Sequence, residues 1–319
     1  KVLDSPPPAP VCVGGKLACP PEDCGGVWGY SELADWVRSD YDDVLRPEVF
    51  ENAEQGRAWL PDGWHPDVFD IDETNELITA ATAEPIPVVE ELESLLELAR
   101  NRGARGLRDA LTHPSASGAT DISTDEGPDL TEPFRVLLDV VGDGVALTSA
   151  GYLKPAAVEQ IAHRTGITEW WIGKANREDL TWPVWELRAT ARALGLVSVR
   201  KGRIAPTQAI AKRRDDPRAI LRHITGRLPL GTTPAERHAG WMALTVVANE
   251  TPAELWEASI SELMLDLGWR DREDPYRAPS PQSPTLDALH LLAGAMRVHW
   301  RPRGVNTAVA AVARAVIRG

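Results

Sequence analysis

In SELADWVRSDY, residues 31–41, the apolar side chains Leu33, Trp36 and Val37 recur at three- and four-residue spacing, which is one face of a helix. Ser31 is a residue type that caps such helices. IDETNELITAAT (71–82) has the form of a second short helix. A third begins near Pro87, with Leu92, Leu95 and Leu96 on one side, and is expected to reach about Arg100 with a basic continuation to Leu111. Between 42 and 72 the chain is acidic and dotted with Pro, and Trp59, Trp64 and Phe69 are its aromatic anchors. Residues 1–11 are Pro-rich and read as extended. THPSASGATDISTDEGPD (112–129) has small polar residues, two prolines and no periodicity, and reads as a flexible linker.

Helical patterning resumes in PFRVLLDVVG (133–142). Pro155 opens a helix carrying Val158, Ile161 and Ala162, and a further helix carries Val184, Leu187, Ala191 and Leu194. After Gly195 the pattern alternates on either side of Lys201-Gly202, the signature of a two-stranded hairpin with a tight turn. Two helices followed by a hairpin with a basic tip is the order of a winged helix-turn-helix. The rest is helical. TPAE occurs twice, at 233–236 and 251–254, and each copy has the form of a capping box. Leu255, Trp256, Ile260, Leu263, Met264 and Leu267 form an amphipathic stripe. Ser283-Pro284 opens a helix expected to run through Met296, and Asn306 caps the last one.

The expected fold is therefore α+β and predominantly helical. It comprises a truncated α/β N-terminal part with helices (1–111), a linker (112–131), a winged-helix-like domain (132–230) and a C-terminal helical bundle (231–319). At 319 residues the chain is long enough for more than one core. No run approaches the roughly 18 apolar residues of a membrane helix, so no membrane partner is expected. The opening KVLDSPPPAP has neither a starting Met nor an apolar leader core, and reads as the start of a fragment. Three cysteines, an odd number in one cluster, argue for a reducing compartment, and the cytoplasm is the expected location.

Charge is unevenly placed. Residues 1–150 hold 10 Lys/Arg against 30 Asp/Glu, a balance of -20, whereas residues 151–319 hold 24 against 17, a balance of +7. An acidic front and a basic back point to different partners for each.

Cys12, Cys19 and Cys24 are spaced C-x6-C-x4-C, which is not a zinc knuckle. Three thiolates would hold zinc with a fourth ligand, for which His65 is the nearest candidate. Buried structural thiols are the preferred reading, with no cofactor expected, and redox chemistry is the third. Glu22 and Asp23 are adjacent and point apart in extended chain, so they make a poor acid/base pair. The His residues form no H-x-x-x-H pair, and neither G-x-S-x-G nor G-x-G-x-x-G occurs. No catalytic set is assembled.

The cysteines do carry a motif: Pro10-x-Cys12, then Cys19-Pro20-Pro21-Glu22-Asp23-Cys24-Gly25-Gly26, then Gly29-Tyr30. With Trp59, Asp67, Phe69, Asp70 and Asn75 downstream, it resembles the plasmid pRiA4b ORF-3-like family over about residues 9–80. It departs from that family at His65-Pro66, where an acidic residue usually precedes the Pro. The family's domain begins upstream with β-strands, so the resemblance covers the second half of the domain. It implies no catalytic residue, and its context is that of accessory proteins of plasmids and mobile elements.

The basic part supplies a second indication. Arg200, Lys201 and Arg203 surround the hairpin tip, Lys212, Arg213 and Arg214 follow it, and Lys154, Arg164, Lys174 and Arg177 lie on or near the preceding helices. Cations on a wing and a helix neutralise phosphates on either side of a groove. Trp170, Trp171, Trp182 and Trp185 offer stacking surfaces for bases, with core packing as the expected role at this spacing. The expected function is a non-enzymatic, DNA-binding accessory or regulatory protein. The alternatives are an interaction scaffold whose acidic N-terminal part binds a basic protein, and a metal- or cysteine-dependent enzyme.

Overall fold

The computed structural model describes residues 10–61, 63–122, 126–274 and 278–319. Two compact units, Lys1–Ala83 and Glu84–Gly319, make up the chain.

In the first unit every regular element among the described residues is helical: α1 (Gly26–Arg38), α2 (Ala53–Trp59) and α3 (Ile71–Thr82). α1 starts five residues before the expected cap. Gly25 and Gly26 take left-handed φ (81° and 71°) and turn the chain directly into the helix. Ser31 therefore lies inside α1, its hydroxyl donating to the Val27 carbonyl. A side chain at Gly29 would overlap the Cys24 carbonyl, so this glycine lets the helix close on the turn. Leu33, Trp36 and Val37 face inward as their spacing predicts, and with Phe50 and Leu60 they make a small core. The Trp36 ring meets Tyr41 edge-on at 4.9 Å and Phe50 at 5.8 Å.

The second unit contains α4 (Glu90–Asn101), α5 (Gly106–Thr112), α6 (Glu126–Val141), β1 (Val145–Ala146), α7 (Pro155–Arg164), α8 (Trp182–Ala193), β2 (Val197–Arg200), β3 (Arg203–Pro206), α9 (Gln208–Ala211), α10 (Pro217–Thr225), α11 (Pro234–Ala248), α12 (Trp256–Asp266), α13 (Pro284–Leu292) and α14 (Thr307–Arg318). The strands form one antiparallel sheet in the order β1-β3-β2, with Val145 opposite Ile204 and Val199 opposite the same residue from the other side. α11 is apolar nearly all round and occupies the centre of the bundle, packed by α5, α12, α13 and α14. Among the described residues no helix is long and apolar enough to cross a membrane.

The expected boundaries do not divide this unit. One hydrophobic core runs from Leu92 to Ile317, crossing both the 112–131 segment and the 230/231 step. Within the expected linker, Pro114–Ser117 is a 3-10 turn whose Ala116 is fully buried, and α6 begins at Glu126. Ser123, Thr124 and Asp125, which the linker included, lie outside the described residues, as do residues 1–9 of the Pro-rich start. What holds the segment is remote in sequence. Arg314 donates to the Ala119 carbonyl at 3.1 Å and Arg318 to the Ala116 carbonyl at 2.7 Å, both from α14.

Candidate nucleic-acid interface

β2 and β3 are joined by Lys201 and Gly202 alone, both with left-handed φ (51° and 70°), as a mirror-image hairpin turn requires. The Gly202 carbonyl accepts the Leu147 amide at 2.8 Å, which ties the tip to the end of β1. Arg203 has a local task as well: its Nη2 donates to the Gly144 carbonyl at 2.7 Å.

The nine expected phosphate contacts thus fall into two groups. Arg177 pairs with Asp179 at 2.6 Å, Arg214 with Asp143 at 3.0 Å, and Arg203 holds the 144 turn. Lys154, Lys174, Arg200, Lys201, Lys212 and Arg213 are exposed and make no ion pair among the described residues. Residues 151–214 hold 12 Lys/Arg against 5 Asp/Glu, and residues 215–319 hold 12 against 12. All of the +7 balance of the basic half therefore sits in the helices and hairpin. The unit Glu84–Gly319 as a whole is close to neutral, with 29 Lys/Arg and 30 Asp/Glu, while Lys1–Ala83 holds 5 against 17.

Glu178 braces this region, although no motif or spacing marks it. Its side chain is fully buried, accepts the Leu153 amide at 2.6 Å and pairs with Arg188 of α8 at 2.6 Å. Burial pushes its carboxyl up, and the Leu153 amide and Arg188 pull it back. Arg188 also donates to the Gly151 carbonyl, so the turn before α7 is fastened to α8. Glu178 and Arg188 lie ten residues apart, a spacing that marks no face of a helix or strand, and only burial distinguishes this pair.

α8 buries Val184, Leu187 and Ala191 as expected. Two of the four tryptophans do not pack as expected. Trp182 and Trp185 are 43% and 46% exposed, while Trp170 and Trp171 are half-buried. A shallow hollow of about 460 Å³ beside α6 and α7 is lined by Glu132, Arg135, Asp139, His163, Arg164 and Arg214 among others. Its charges are largely spent internally, Arg164 on Asp139 and Arg297 on Glu132.

In the first unit the cysteine motif acts on the backbone. Asn75 and Cys12 exchange two hydrogen bonds, the Cys12 amide to Oδ1 at 2.7 Å and Nδ2 to the Cys12 carbonyl at 3.1 Å. The Trp64 indole donates to the Cys19 carbonyl, and Ala18 and Pro66 pair through their backbones. Cys24 packs at the margin of the small core. The thiols are not buried as the structural reading supposed: Cys19 is exposed, and Cys12 and Cys24 are half-buried. No three His, Cys, Asp or Glu side chains gather as a metal ion would require among the described residues, so Cys12, Cys19, Cys24 and His65 do not assemble into one ligand set there. A groove of about 700 Å³ runs along α1, with Val44, Leu45, Val49 and Trp59 exposed beside it and Asp23, Glu32 and Glu48 on its lining.

Residues 1–73 match the family model described as plasmid pRiA4b ORF-3-like protein. The matched stretch contains the cysteine motif together with Trp59, Asp67, Phe69 and Asp70. No curated protein and no solved structure matches the chain.

Proposed function

We propose that residues 126–206 form a winged helix-turn-helix that binds duplex DNA, in an accessory or regulatory protein of the plasmid and mobile-element kind to which the N-terminal match relates. The observation that supports this reading is the order of elements. A helix (α6), a short strand (β1), two helices (α7, α8) and a hairpin (β2–β3) follow one another, with the sheet ordered β1-β3-β2. The hairpin turn puts Arg200 and Lys201 at an edge of the unit, where phosphates are reached without burying a charge. Lys212 and Arg213 extend the positive surface beyond the hairpin, and Lys154 and Lys174 extend it before α8.

Binding of this kind weakens steeply with salt, with about 0.9 in the log–log slope for each phosphate neutralised. Fluorescence anisotropy of the full chain on a labelled duplex, between low and moderate ionic strength, should give a slope that flattens when Arg200 and Lys201 are replaced together. Absence of any salt-sensitive binding to duplex at low ionic strength ends the DNA reading.

A second reading is supported by the first unit. Its groove combines exposed apolar side chains with Asp23, Glu32 and Glu48, in a unit whose formal balance is -12. An interaction scaffold would present this surface to a protein segment with an apolar ridge flanked by Lys and Arg. Pull-down that depends on Val44 and Val49, with no DNA binding by the chain, would put this reading first.

A further inference from the structure

Along the outward side of α8, Trp182, Trp185, Ala189 and Arg192 follow one another at i, i+3, i+7 and i+10, so they share one stripe. Trp182, Trp185 and Arg192 are exposed. Trp182 also belongs to a longer aromatic array. It meets Trp300 edge-on at 4.9 Å and Trp171 at 6.4 Å, Trp171 meets Trp170 at 5.7 Å, and His299 stacks on Trp170 at 5.0 Å with an interplanar angle of 19°. Three separate stretches of chain supply these rings.

Two features set the array apart from an ordinary core margin. His299 and Trp300 are consecutive non-glycine residues with left-handed φ (54° and 57°), a conformation disfavoured for any residue with a Cβ. Local strain of this sort persists where the surroundings hold a side chain in a required place. Second, the Trp170 indole is anchored on the Met296 carbonyl at 2.8 Å, whereas those of Trp171, Trp182, Trp185 and Trp300 have no protein acceptor among the described residues. Of these, Trp182 and Trp185 are exposed and so accessible to a ligand.

We infer that this face is a stacking platform for unpaired bases, so that the protein takes single-stranded nucleic acid here as well as duplex at the hairpin. The inference rests on the nucleic-acid reading but uses different residues. A helix that reads base edges in a major groove needs side chains with paired donors and acceptors. α8 offers only Arg192 on its outward stripe, because Arg188 is committed to Glu178 and Gly151 and Glu186 accepts from Thr190. Flat aromatic surface suits the faces of bases, which are all alike in this respect, and it gains from cations placed for the phosphates. Arg192 lies on the stripe itself, Lys174 follows Trp171 by three residues, and Arg301 follows Trp300; all are exposed. The neighbouring acids are largely neutralised, Asp179 by Arg177 and Glu178 by Arg188, leaving Glu169 as an exposed opposing charge.

The test uses the full chain with a labelled oligo-dT 20-mer and with a duplex of random sequence. Replacing Trp182 and Trp185 together by Ala should weaken oligo-dT binding on the order of 10-fold for each stacked base lost, with duplex binding changed much less. Arg200→Ala with Lys201→Asn should do the reverse. Trp182→Phe guards against a folding defect, since it retains a ring and should recover most of the single-strand affinity. Trp185→Ala alone is a second guard, because Trp185 makes no ring contact among the described residues. Duplex binding without oligo-dT binding in the unaltered chain overturns the inference and leaves the hairpin reading standing. Oligo-dT binding without duplex binding does the opposite. Unchanged oligo-dT affinity in the double Trp variant also overturns it, and loss of self-association in that variant would assign the face to a protein contact.

Discussion

Arg314 lies so close over Gly118 that a Cβ at that glycine would meet its Cζ at 2.7 Å. The same guanidinium donates to the carbonyls of Ala248 and Ala119 and to Glu250 at 2.5 Å, so its donors tie together two segments, the end of α11 with the residues just after it (248–250) and the chain at 119. Arg314 is 3% exposed. Replacing it by Ala should therefore destabilise the second unit by about 2–4 kcal/mol, since two carbonyls and a carboxylate lose a charged donor. Arg314→Lys should recover little, because one ammonium cannot span the three acceptors. Urea denaturation measures both.

The same contact decides where a protease should cut. Residues 112–122 should resist limited proteolysis, and the first cut should fall near Ala83–Pro85, where the two units meet in sequence. Mass spectrometry of the early products would place it. Early cleavage between Ser115 and Asp121 would show that the Arg314 and Arg318 contacts do not hold the segment.

The two TPAE copies should part company under mutation. At 233–236 the box is complete: Thr233 accepts the Glu236 amide, and Glu236 accepts the Thr232 and Thr233 amides, which holds its carboxyl below the usual range. At 251–254 the chain makes a 3-10 turn (Ala253–Leu255), and Glu254 instead accepts the Gly304 amide at 2.7 Å. Thr233→Ala should cost about 1 kcal/mol, and Thr251→Ala a few tenths at most. Thermal unfolding of the two variants side by side checks this.

That contrast shows what was legible in the sequence. Periodicity placed Leu33, Trp36 and Val37 and the α8 face carrying Val184 and Leu187, because burial of one stripe is a local property. Asn306 and Ser283 cap α14 and α13 as read, for the same reason. The second TPAE failed because Gly304 takes the carboxylate, and 50 residues separate the partners. The linker failed similarly: small polar residues look alike whether they are solvated or fastened by arginines from a helix nearly 200 residues away. In the candidate interface the cations were visible, but their pairing was not. Arg203, Arg177 and Arg214 are spent on protein, and the ring contacts of Trp182 come from residues 171 and 300, which its own helix pattern does not show.

Two groups on α13 should make opposite contributions to stability against pH. Burial, with repulsion from Glu186 and Glu257, pushes the Asp287 carboxyl up to about 7. One turn on, burial holds His290 down to about 4, its ring stacked on Trp256 at 5.3 Å. Folded Asp287 keeps a proton that the unfolded chain loses near 3.8, so this term lowers stability as pH rises from about 4 to about 7. Folded His290 stays neutral where the unfolded chain is protonated below 6.5, so this term raises stability between about 4 and 6.5. Each slope is at most about 1.4 kcal/mol per pH unit, and in the unaltered protein they offset. Asp287→Asn should expose the rising His290 profile and add stability at pH 8, while His290→Gln should expose the falling one. Denaturation midpoints from pH 4 to 8 would show it, and a profile that Asp287→Asn leaves unaltered would contradict the assignment.

Lys201 offers the sharpest separation of binding from folding. It holds the first central position of a two-residue turn with φ 51°, where a lysine is disfavoured and Asn or Gly is the ordinary occupant. Lys201→Asn keeps the hairpin and relieves strain, so it should raise stability by a few tenths to about 1 kcal/mol. The same change removes an exposed cation from the tip, so duplex affinity should fall and the salt slope should lose about 0.9. Arg203→Ala is the counterpart: it removes the donor to Gly144 and should lower stability by about 1 kcal/mol. Because that guanidinium is already engaged by protein, its loss should alter the salt slope less than loss of Lys201. A destabilised hairpin would weaken DNA binding for a trivial reason, and Lys201→Asn escapes that ambiguity because its two effects have opposite signs. Melting temperature and salt-dependent anisotropy, measured on the same preparations, decide it: a Lys201→Asn protein that melts higher and binds duplex undiminished would remove the hairpin tip from the interface.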